Sequence, residues 1–185
     1  MIRFILLGIW LTLLAACAVT FPANYTPQSF VKLGEEQVRF GSFAYVPAVQ
    51  GEIKSNEVLT ASITPHTYLK EDVADFIMRS TKLEFERAGL TVADSANIEI
   101  SGQILELSFI DSIFGTTWKC RVNYTVREVD SGKLLLNHIY ESAKGGGVFT
   151  VSSGAMSDVV SETIEKLVAD LIDRKVFSLH SDGAS

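Results

Sequence analysis

The chain has 185 residues, of which 47% are hydrophobic and 21% are charged. This is the size and balance of one globular domain with a real core, so both two large domains and a wholly disordered chain are excluded. The formal net charge is −6. An acidic chain of this kind has no overall field that attracts nucleic acid, so we expect no nucleic-acid partner.

The first segment, residues 1–16, has the organisation of a signal peptide. Arg3 precedes an apolar run over residues 4–14, which has the length of a signal-peptide core and is too short for an ordinary transmembrane helix of about 20 residues. The run ends Leu14-Ala15-Ala16-Cys17. This motif resembles the bacterial lipobox, in which a cysteine after small residues receives lipid. The alternative is an ordinary signal peptide cut after Ala16, with Cys17 incidental.

Cys17 is therefore the predicted lipidation site. The resemblance implies diacylglycerol on its thiol and an acylated amino terminus, and three acyl chains exceed what stable membrane attachment needs, at about 0.8 kcal/mol per buried CH₂. Proteins of this type that stay in the inner membrane usually carry Asp after the cysteine. This chain has Ala18, so the resemblance implies the outer membrane, facing the periplasm.

Cys120 is the only other cysteine. With Cys17 lipidated, no intramolecular disulfide can form. Cys120 falls at a core-facing strand position, which predicts a small buried hydrophobe rather than a reactive nucleophile.

Residues 17–36 are predicted to form a lipidated N-terminus and a flexible tether. They contain Pro22, Pro27 and Gly34 among small polar residues, without any periodicity. A single periplasmic domain is expected over residues 37–178, and a disordered tail over residues 179–185.

The predicted domain begins with strands over residues 37–46 and 57–63, the second of which has a weak, edge-like pattern. Residues 71–88 then predict a helix that Gly89 ends, because apolar side chains recur at helical spacing. Glu84 falls inside the apolar stripe of this helix. We expect a flexible side chain that reaches solvent near the helix end; the alternative is a carboxylate of perturbed acidity. The stripe consists of Val73, Phe76, Ile77, Ser80, Leu83 and Ala88.

Three strands follow the first helix. Over residues 97–110 the apolar alternation changes phase after Ile104, which predicts a bulge or a strand whose far end is covered on its other face. Residues 118–128 and 134–142 are expected to form a hairpin, because Asp130-Ser131-Gly132 has turn chemistry.

Residues 154–176 predict a second helix and keep the most regular three-four spacing of the chain. Ser152 or Ser153 is the expected cap, and the glycines at 145–147 are expected to link the hairpin to this helix. The predicted order is β-β-α-β-β-β-α. This order indicates an α+β fold with a mainly antiparallel sheet, two amphipathic helices packed on one face, and a polar, solvated opposite face.

No catalytic constellation emerges from the residues. His66, His138 and His180 are scattered, without metal-ligand spacing. We therefore predict no enzymatic activity, no cofactor and no metal. A cell-wall hydrolase would need a convergent acid or nucleophile, and a deep pocket holding a buried carboxylate would revive that hypothesis.

A row of cations, Lys119, Arg121 and Arg127, is predicted on the outer face of the strand at 118–128. One interpretation is an ordinary solvated sheet face. The other is a docking surface for anionic lipid headgroups, polysaccharide or an acidic partner. No aromatic side chains interleave with the row, which argues against a platform for single-stranded nucleic acid.

The segment at 144–173 carries a family resemblance. It runs from three glycines through the pattern Gly-x-Phe-x-x-Ser into a helix with Asp158 in its first turn. It resembles the C-terminal part of the YajG-like bacterial lipoproteins, and the helix end at 86–92 and the turn at 130–133 match in order. The resemblance covers about residues 63–173 and the lipobox. It implies an outer-membrane lipoprotein facing the periplasm, with no catalytic residues to carry over.

These observations favour a non-enzymatic accessory or interaction component of the bacterial envelope, anchored through its lipid. The alternative is a lipid- or glycan-binding module that uses the cationic sheet face or a groove. We expect a protein partner in the envelope, and a homo-oligomer is compatible with the sequence.

Overall fold

The computed structural model describes residues 18–28, 32–34, 36–61, 66–112, 115–146 and 153–177. Within these ranges the chain forms one mixed, mostly antiparallel sheet of eight strands and three helices, which confirms the predicted α+β class. None of the described helices is long and apolar enough to cross a membrane. The strands are β1 (Val19–Phe21), β2 (Gln37–Tyr45), β3 (Glu57–Thr60), β4 (Thr67–Leu69), β5 (Thr91–Val92), β6 (Ile98–Ser112), β7 (Gly115–Glu128) and β8 (Leu134–Gly146). The helices are α1 (Val46–Val49), α2 (Val73–Arg87) and α3 (Ser153–Asp173).

The strands β6, β7 and β8 form the antiparallel part of the sheet. Alternate side chains of β7 are buried because one face of the strand meets the core, and β7 pairs antiparallel with β8 in the predicted hairpin. The turn between β7 and β8 contains Gly132 at a φ of 68°, a left-handed conformation that glycine adopts without the Cβ clash. β8 does not end at Ser142 as predicted. Gly145 and Gly146 continue the strand opposite Thr117 and Thr116, so they do not form the expected link.

The other edge of β6 carries two strands, one after the other. β2 runs parallel to the first part of β6 and β3 runs parallel to its later part. β5 extends the sheet beyond β2, while β4 pairs antiparallel with β3 and β1 pairs parallel with β4. The sequence predicts β3 to reach residue 63, but the strand ends at Thr60 and residues 62–65 lie outside the described ranges.

The predicted change of phase in β6 is a β-bulge. Ile104 lies opposite Val122 and Glu106 lies opposite Arg121, so Leu105 is an extra residue on this strand. Ile100 and Ile104 are buried before the bulge, and Leu107 and Phe109 are buried after it. The extra residue therefore keeps apolar side chains on one face along the whole strand.

The two long helices cover one face of the sheet. α2 packs on β2, β5 and β6, and α3 packs on β7 and β8. The predicted apolar stripe of α2 is buried at Val73, Phe76, Ile77 and Ser80, whereas Leu83 is only partly buried.

Both long helices end with the same hydrogen-bond arrangement. After α2, the Leu90 N–H donates to the Phe85 carbonyl at 3.0 Å while Gly89 has a φ of 102°. This is the Schellman motif, with glycine at its left-handed position. After α3, the Val176 N–H donates to the Leu171 carbonyl at 2.9 Å, but Lys175 occupies the left-handed position with a φ of 57°. α3 therefore ends at Asp173, earlier than predicted.

Cys120 lies fully buried on β7, in the core between the sheet and the helices. Burial raises the pKa of its thiol to about 12, because the core cannot solvate a thiolate. The prediction of a small buried hydrophobe is confirmed.

The predicted tether at 17–36 differs from the structure. Its described part folds onto the domain: β1 pairs with β4, the Thr26 N–H donates to Ser157 Oγ at 3.2 Å, and Leu33 is buried. A flexible tether is therefore wrong for residues 18–28. The partners that order this segment lie far along the chain, so local composition does not reveal them.

Candidate functional site on the open face of the sheet

The face of the sheet opposite the helices is uncovered and mainly polar, with Leu134 and Ile139 as its exposed apolar side chains. It is built by the side chains of β2, β6, β7 and β8 that alternate with the buried ones. This open face contains Arg39, Ser42, Glu99, Ser101, Gln103, Glu106, Lys119, Arg121, Asn123, Thr125, Arg127, Asn137 and Glu141.

The three predicted cations lie on this face, and the strand register places acids beside two of them. Arg121 sits opposite Glu106 on β6 and opposite Glu141 on β8, with 4.0 Å between Arg121 Nε and Glu141 Oε2. Arg127 sits opposite Glu99. Lys119 sits opposite Ser108 and Ala143, so the sequence correctly places a row of cations but misses its neighbours.

A closer ion pair ties β2 to β6 on the same face. The Arg39 guanidinium donates to Glu99 Oε2 from Nε at 3.0 Å and from Nη2 at 2.8 Å. Exposed ion pairs add little stability, but carboxylates interleaved with the cations lower the local positive potential. The open face is therefore a surface of mixed charge and not a strongly cationic patch.

A shallow groove of about 410 Å³ crosses the open face. Amides from three strands meet in it, those of Gln103, Asn123 and Asn137. Arg127 and Glu99 also line the groove. Asn123 Oδ1 is shielded from solvent and has no hydrogen-bond partner among the described residues. Buried carbonyl oxygens normally accept a hydrogen bond, and this one lacks the donor that such an oxygen usually has.

The sequence-based prediction for Glu84, a flexible side chain that reaches solvent, is wrong. Glu84 does not reach solvent: its side chain is 0% exposed, between α2 and α3. Three donors surround the carboxylate, namely the Tyr25 hydroxyl, the Gln28 N–H at 2.9 Å and the Ser161 hydroxyl at 2.6 Å. A charged group can be buried when donors replace its water. Two of the three come from the segment that was expected to be a tether.

This polar cluster binds the N-terminal segment to the helices. Burial, together with the hydrogen bond to Glu84, raises the pKa of Tyr25. Beside it, the Gln28 side chain donates to Asp158 at 2.6 Å, and Lys144 Nζ lies 2.6 Å from the other oxygen of Asp158. A buried carboxylate therefore exists, but its hydrogen bonds hold the N-terminal segment against the helices, so it does not revive the hydrolase hypothesis.

The histidines considered in the sequence, His66 and His138, do not lie together in the structure. His66 Nδ1 lies 2.7 Å from Glu57 Oε1, and His138 contacts the ring of Tyr140. In the part of the chain that the structure describes, no group of three or more potential ligands could hold a metal ion. Cys17 and His180 lie outside the described residues.

No family model and no curated protein sequence matches this chain. Its fold is similar to that of protein XCC0632 from Xanthomonas campestris, of the DUF330 family, with a TM-score of 0.66 and 11% identity over 85% of this chain and 97% of that one. Protein CT253 from Chlamydia trachomatis is also similar, with a TM-score of 0.53 and 10% identity over 75% and 96% of the two chains.

Bacterial lipoproteins also occur among the matching structures. GNA1162 from Neisseria meningitidis has a TM-score of 0.42 and 11% identity, over 72% of this chain and 99% of that one. The similarity to GNA1162 is too weak to support an argument. The similarities to XCC0632 and CT253 show a shared fold alone. None of them supports the YajG-like family specifically, so that resemblance stays a prediction.

Proposed function

We propose that this protein is a non-enzymatic accessory component of the bacterial envelope, anchored by lipid on Cys17 and facing the periplasm. The observation that carries the proposal is the uncovered sheet face: it offers a broad polar surface for binding, whereas the one buried carboxylate of the described residues is engaged in holding the fold. Ala18 after the cysteine favours the outer membrane. The motif Leu14-Ala15-Ala16-Cys17 supplies the reason for an anchor.

Labelling in bacterial cells with a palmitate analogue tests the anchor, with Cys17→Ser as the variant and Cys120→Ser as the matched control. We expect the wild type and Cys120→Ser to incorporate label and to float with outer-membrane vesicles on a density gradient. Cys17→Ser should lose both the label and the flotation. Equal labelling of all three chains would contradict lipidation at Cys17.

Crosslinking in intact cells tests the accessory role. A photoreactive residue at Asn137, on the open face, should yield discrete adducts with one envelope component or with a second copy of the chain. The same residue at Lys175, after α3, should not yield those adducts. A protein that stays monomeric and without adducts from either position would contradict an interaction role.

A second candidate function is binding of a neutral, hydroxyl-rich ligand such as a glycan in the groove. The converging amides of Gln103, Asn123 and Asn137 favour it, because amides can both donate to and accept from sugar hydroxyls. The neutral disaccharide of N-acetylglucosamine is the probe. We expect amide shifts on β6–β8 that Asn123→Ala and Gln103→Ala weaken. Shifts confined to the helices, or none at millimolar probe, would contradict it.

Binding to anionic lipid is the other form of this candidate and uses the cations instead. Charge reversal at Lys119 and Arg121 should then weaken binding to phosphatidylglycerol vesicles. Unchanged binding at low salt would exclude the cationic face as a lipid-binding surface.

A further inference from the structure

The chain enters the sheet immediately after the proposed lipidation site. Ala18 precedes β1, and the Val19 N–H donates to the His66 carbonyl at 3.1 Å, so Val19 is already paired with Thr67. Two residue steps separate Cys17 from Val19. Because an extended chain spans at most about 3.6 Å per residue, two steps can carry a lipid attachment no more than about 7 Å from the paired backbone of Val19.

The segment after β1 prevents this edge from peeling away easily. The Phe21 ring packs edge-on against Trp118, and the Tyr25 ring packs edge-on against Phe76. Arg79 Nη2 donates to the Ala23 carbonyl at 2.8 Å. Peeling β1 from β4 would break the contact of Phe21 with Trp118. The contacts of Ala23 and Tyr25 hold the chain that follows, so the connection stays short in the native state.

The side chains beside the start of β1, three of them exposed and that of Tyr68 partly buried, suit a lipid–water boundary. We define the anchor-side surface as Thr20, Lys54, His66 and Tyr68. The His66 ring stacks on Tyr68 with 6.1 Å between centroids, and Lys54 Nζ lies 5.2 Å from the Tyr68 ring centroid. Tyrosine rings and lysine ammonium groups both favour the headgroup layer, because each combines an apolar body with a polar tip.

Glu57, the acid paired with His66, contributes little negative charge to the exposed part of this surface. Glu57 pairs with His66 Nδ1 at 2.7 Å and accepts the Lys54 N–H at 3.2 Å. Its side chain is only 12% exposed, so it is largely screened from an approaching phosphate. The ammonium groups of Lys54 and of Lys70, which follows β4, are exposed.

We propose that the anchor-side surface rests directly on the phospholipid headgroups, so that the domain lies on the membrane and is not held away from it. The proposal rests on the lipidation of Cys17 proposed above. Because the connection spans only about 7 Å, the lipid selects which side of the domain meets the bilayer. Anionic headgroups add attraction for the lysines, which falls off within a Debye length of the surface.

The same geometry places the other end of the sheet far from the lipid. β3 pairs with β6 at Ser108, and the turn after β7 begins where Glu128 pairs with Ile98. On the unbulged strand β7, the same stretch runs from Lys119, opposite Ser108, to Glu128, which is nine steps of about 3.3 Å each, or about 30 Å. Ser131, in that turn, is therefore a matched distant position.

Nitroxide depth measurement on the lipidated full-length protein tests the proposal. The labels are placed at Thr20→Cys, Lys70→Cys and Ser131→Cys, since buried Cys120 does not compete for the reagent. The protein is reconstituted in vesicles of phosphatidylethanolamine and phosphatidylglycerol with a nickel-chelating headgroup lipid. We expect severalfold stronger relaxation by nickel at positions 20 and 70 than at 131. The Lys70 label covers the case in which Thr20→Cys disturbs β1.

The outcomes separate this proposal from the one it rests on. Protein that floats with vesicles and carries acyl mass on its N-terminal peptide, but shows equal or reversed relaxation at the three positions, overturns the membrane-facing surface while the anchor stands. Protein that neither floats nor carries acyl mass overturns both. Strong relaxation at positions 20 and 70 that survives insertion of ten Gly/Ser residues before Val19 shows that the surface itself binds headgroups.

Discussion

The Tyr25 hydroxyl donates a hydrogen bond to the fully buried carboxylate of Glu84, across 59 residues of sequence. This contact joins the segment behind the proposed anchor to the interface between the two long helices. The carboxylate depends on its donors, because a buried charge without them would be costly. The N-terminal segment is thus part of the folded domain.

We expect Tyr25→Phe to lower the free energy of unfolding by about 1–3 kcal/mol, because it removes one donor from a buried carboxylate and leaves the ring in place. Urea denaturation measures the change. Tyr68→Phe is the matched control at a partly buried tyrosine and should change stability by less than about 0.5 kcal/mol. Similar values for the two variants would show that Glu84 does not need the hydroxyl.

We expect Lys175→Gly to raise the free energy of unfolding by about 1 kcal/mol. Lys175 holds a left-handed backbone conformation at the end of α3, which costs a residue with a Cβ about this much and glycine very little. Lys175→Ala is the control, since it keeps the Cβ and should leave stability unchanged. Equal thermal unfolding midpoints for the glycine and alanine variants would contradict the prediction.

We expect stability to fall at acid pH in part through Asp170. Hydrogen bonds from Arg174, at 2.7 Å, and from Tyr140, at 2.5 Å, hold the pKa of this carboxyl below its usual value of about 3.9. A lowered folded pKa stabilises the protein above the unfolded value, and this contribution is lost as pH falls from about 3.9 through the lower folded pKa.

In Asp170→Asn the loss of stability between pH 6 and pH 2.5 should therefore be smaller than in the wild type, as urea denaturation at each pH would measure. A loss of stability in Asp170→Asn that parallels that of the wild type between these two pH values would contradict the prediction.

We expect Arg121→Glu to lower the free energy of unfolding by about 1 kcal/mol more than Lys119→Glu. Arg121 lies between Glu106 and Glu141, so the reversal would place three carboxylates side by side across the strands. Lys119 faces only Ser108 and Ala143 across the strands. The difference should shrink at 1 M salt, and an equal loss in both variants would show that the cross-strand acids have no effect.

The sequence predicts the elements whose signal is local. The spacing in α2 and α3, the alternation in β7 and the change of phase after Ile104 all correspond to features of the structure. Each depends on side chains a few positions apart, where burial on one face imposes a period of two or 3.6 residues.

The sequence does not predict contacts that depend on distant partners. β1, β4 and β5 have two or three residues each, too few for any period to show. The sequence predicts Glu84 to be a flexible, exposed acid, because its hydrogen-bond donors Tyr25 and Ser161 are distant along the chain. The sequence of β7 alone does not show that an acid faces its cations. The extra residue Leu105 sets the register of β6, and this register places Glu106 opposite Arg121.

Leu105 also separates two parts of the sheet that we expect to differ in their free energy of local unfolding. On one side of Leu105, β6 is joined to β2 over six paired positions; on the other it meets β3 over two, and β3, β4 and β1 are short strands of four, three and three residues. Short ladders open at lower free energy than long ones, even though Val58, Thr67 and Leu69 are buried here. We expect the amides of Val19–Phe21 and Thr67–Leu69 to exchange with deuterium together, well before those of β7. The end nearest the proposed lipid would then open in brief excursions from a native state that keeps β1 paired with β4, while the rest of the domain stays folded.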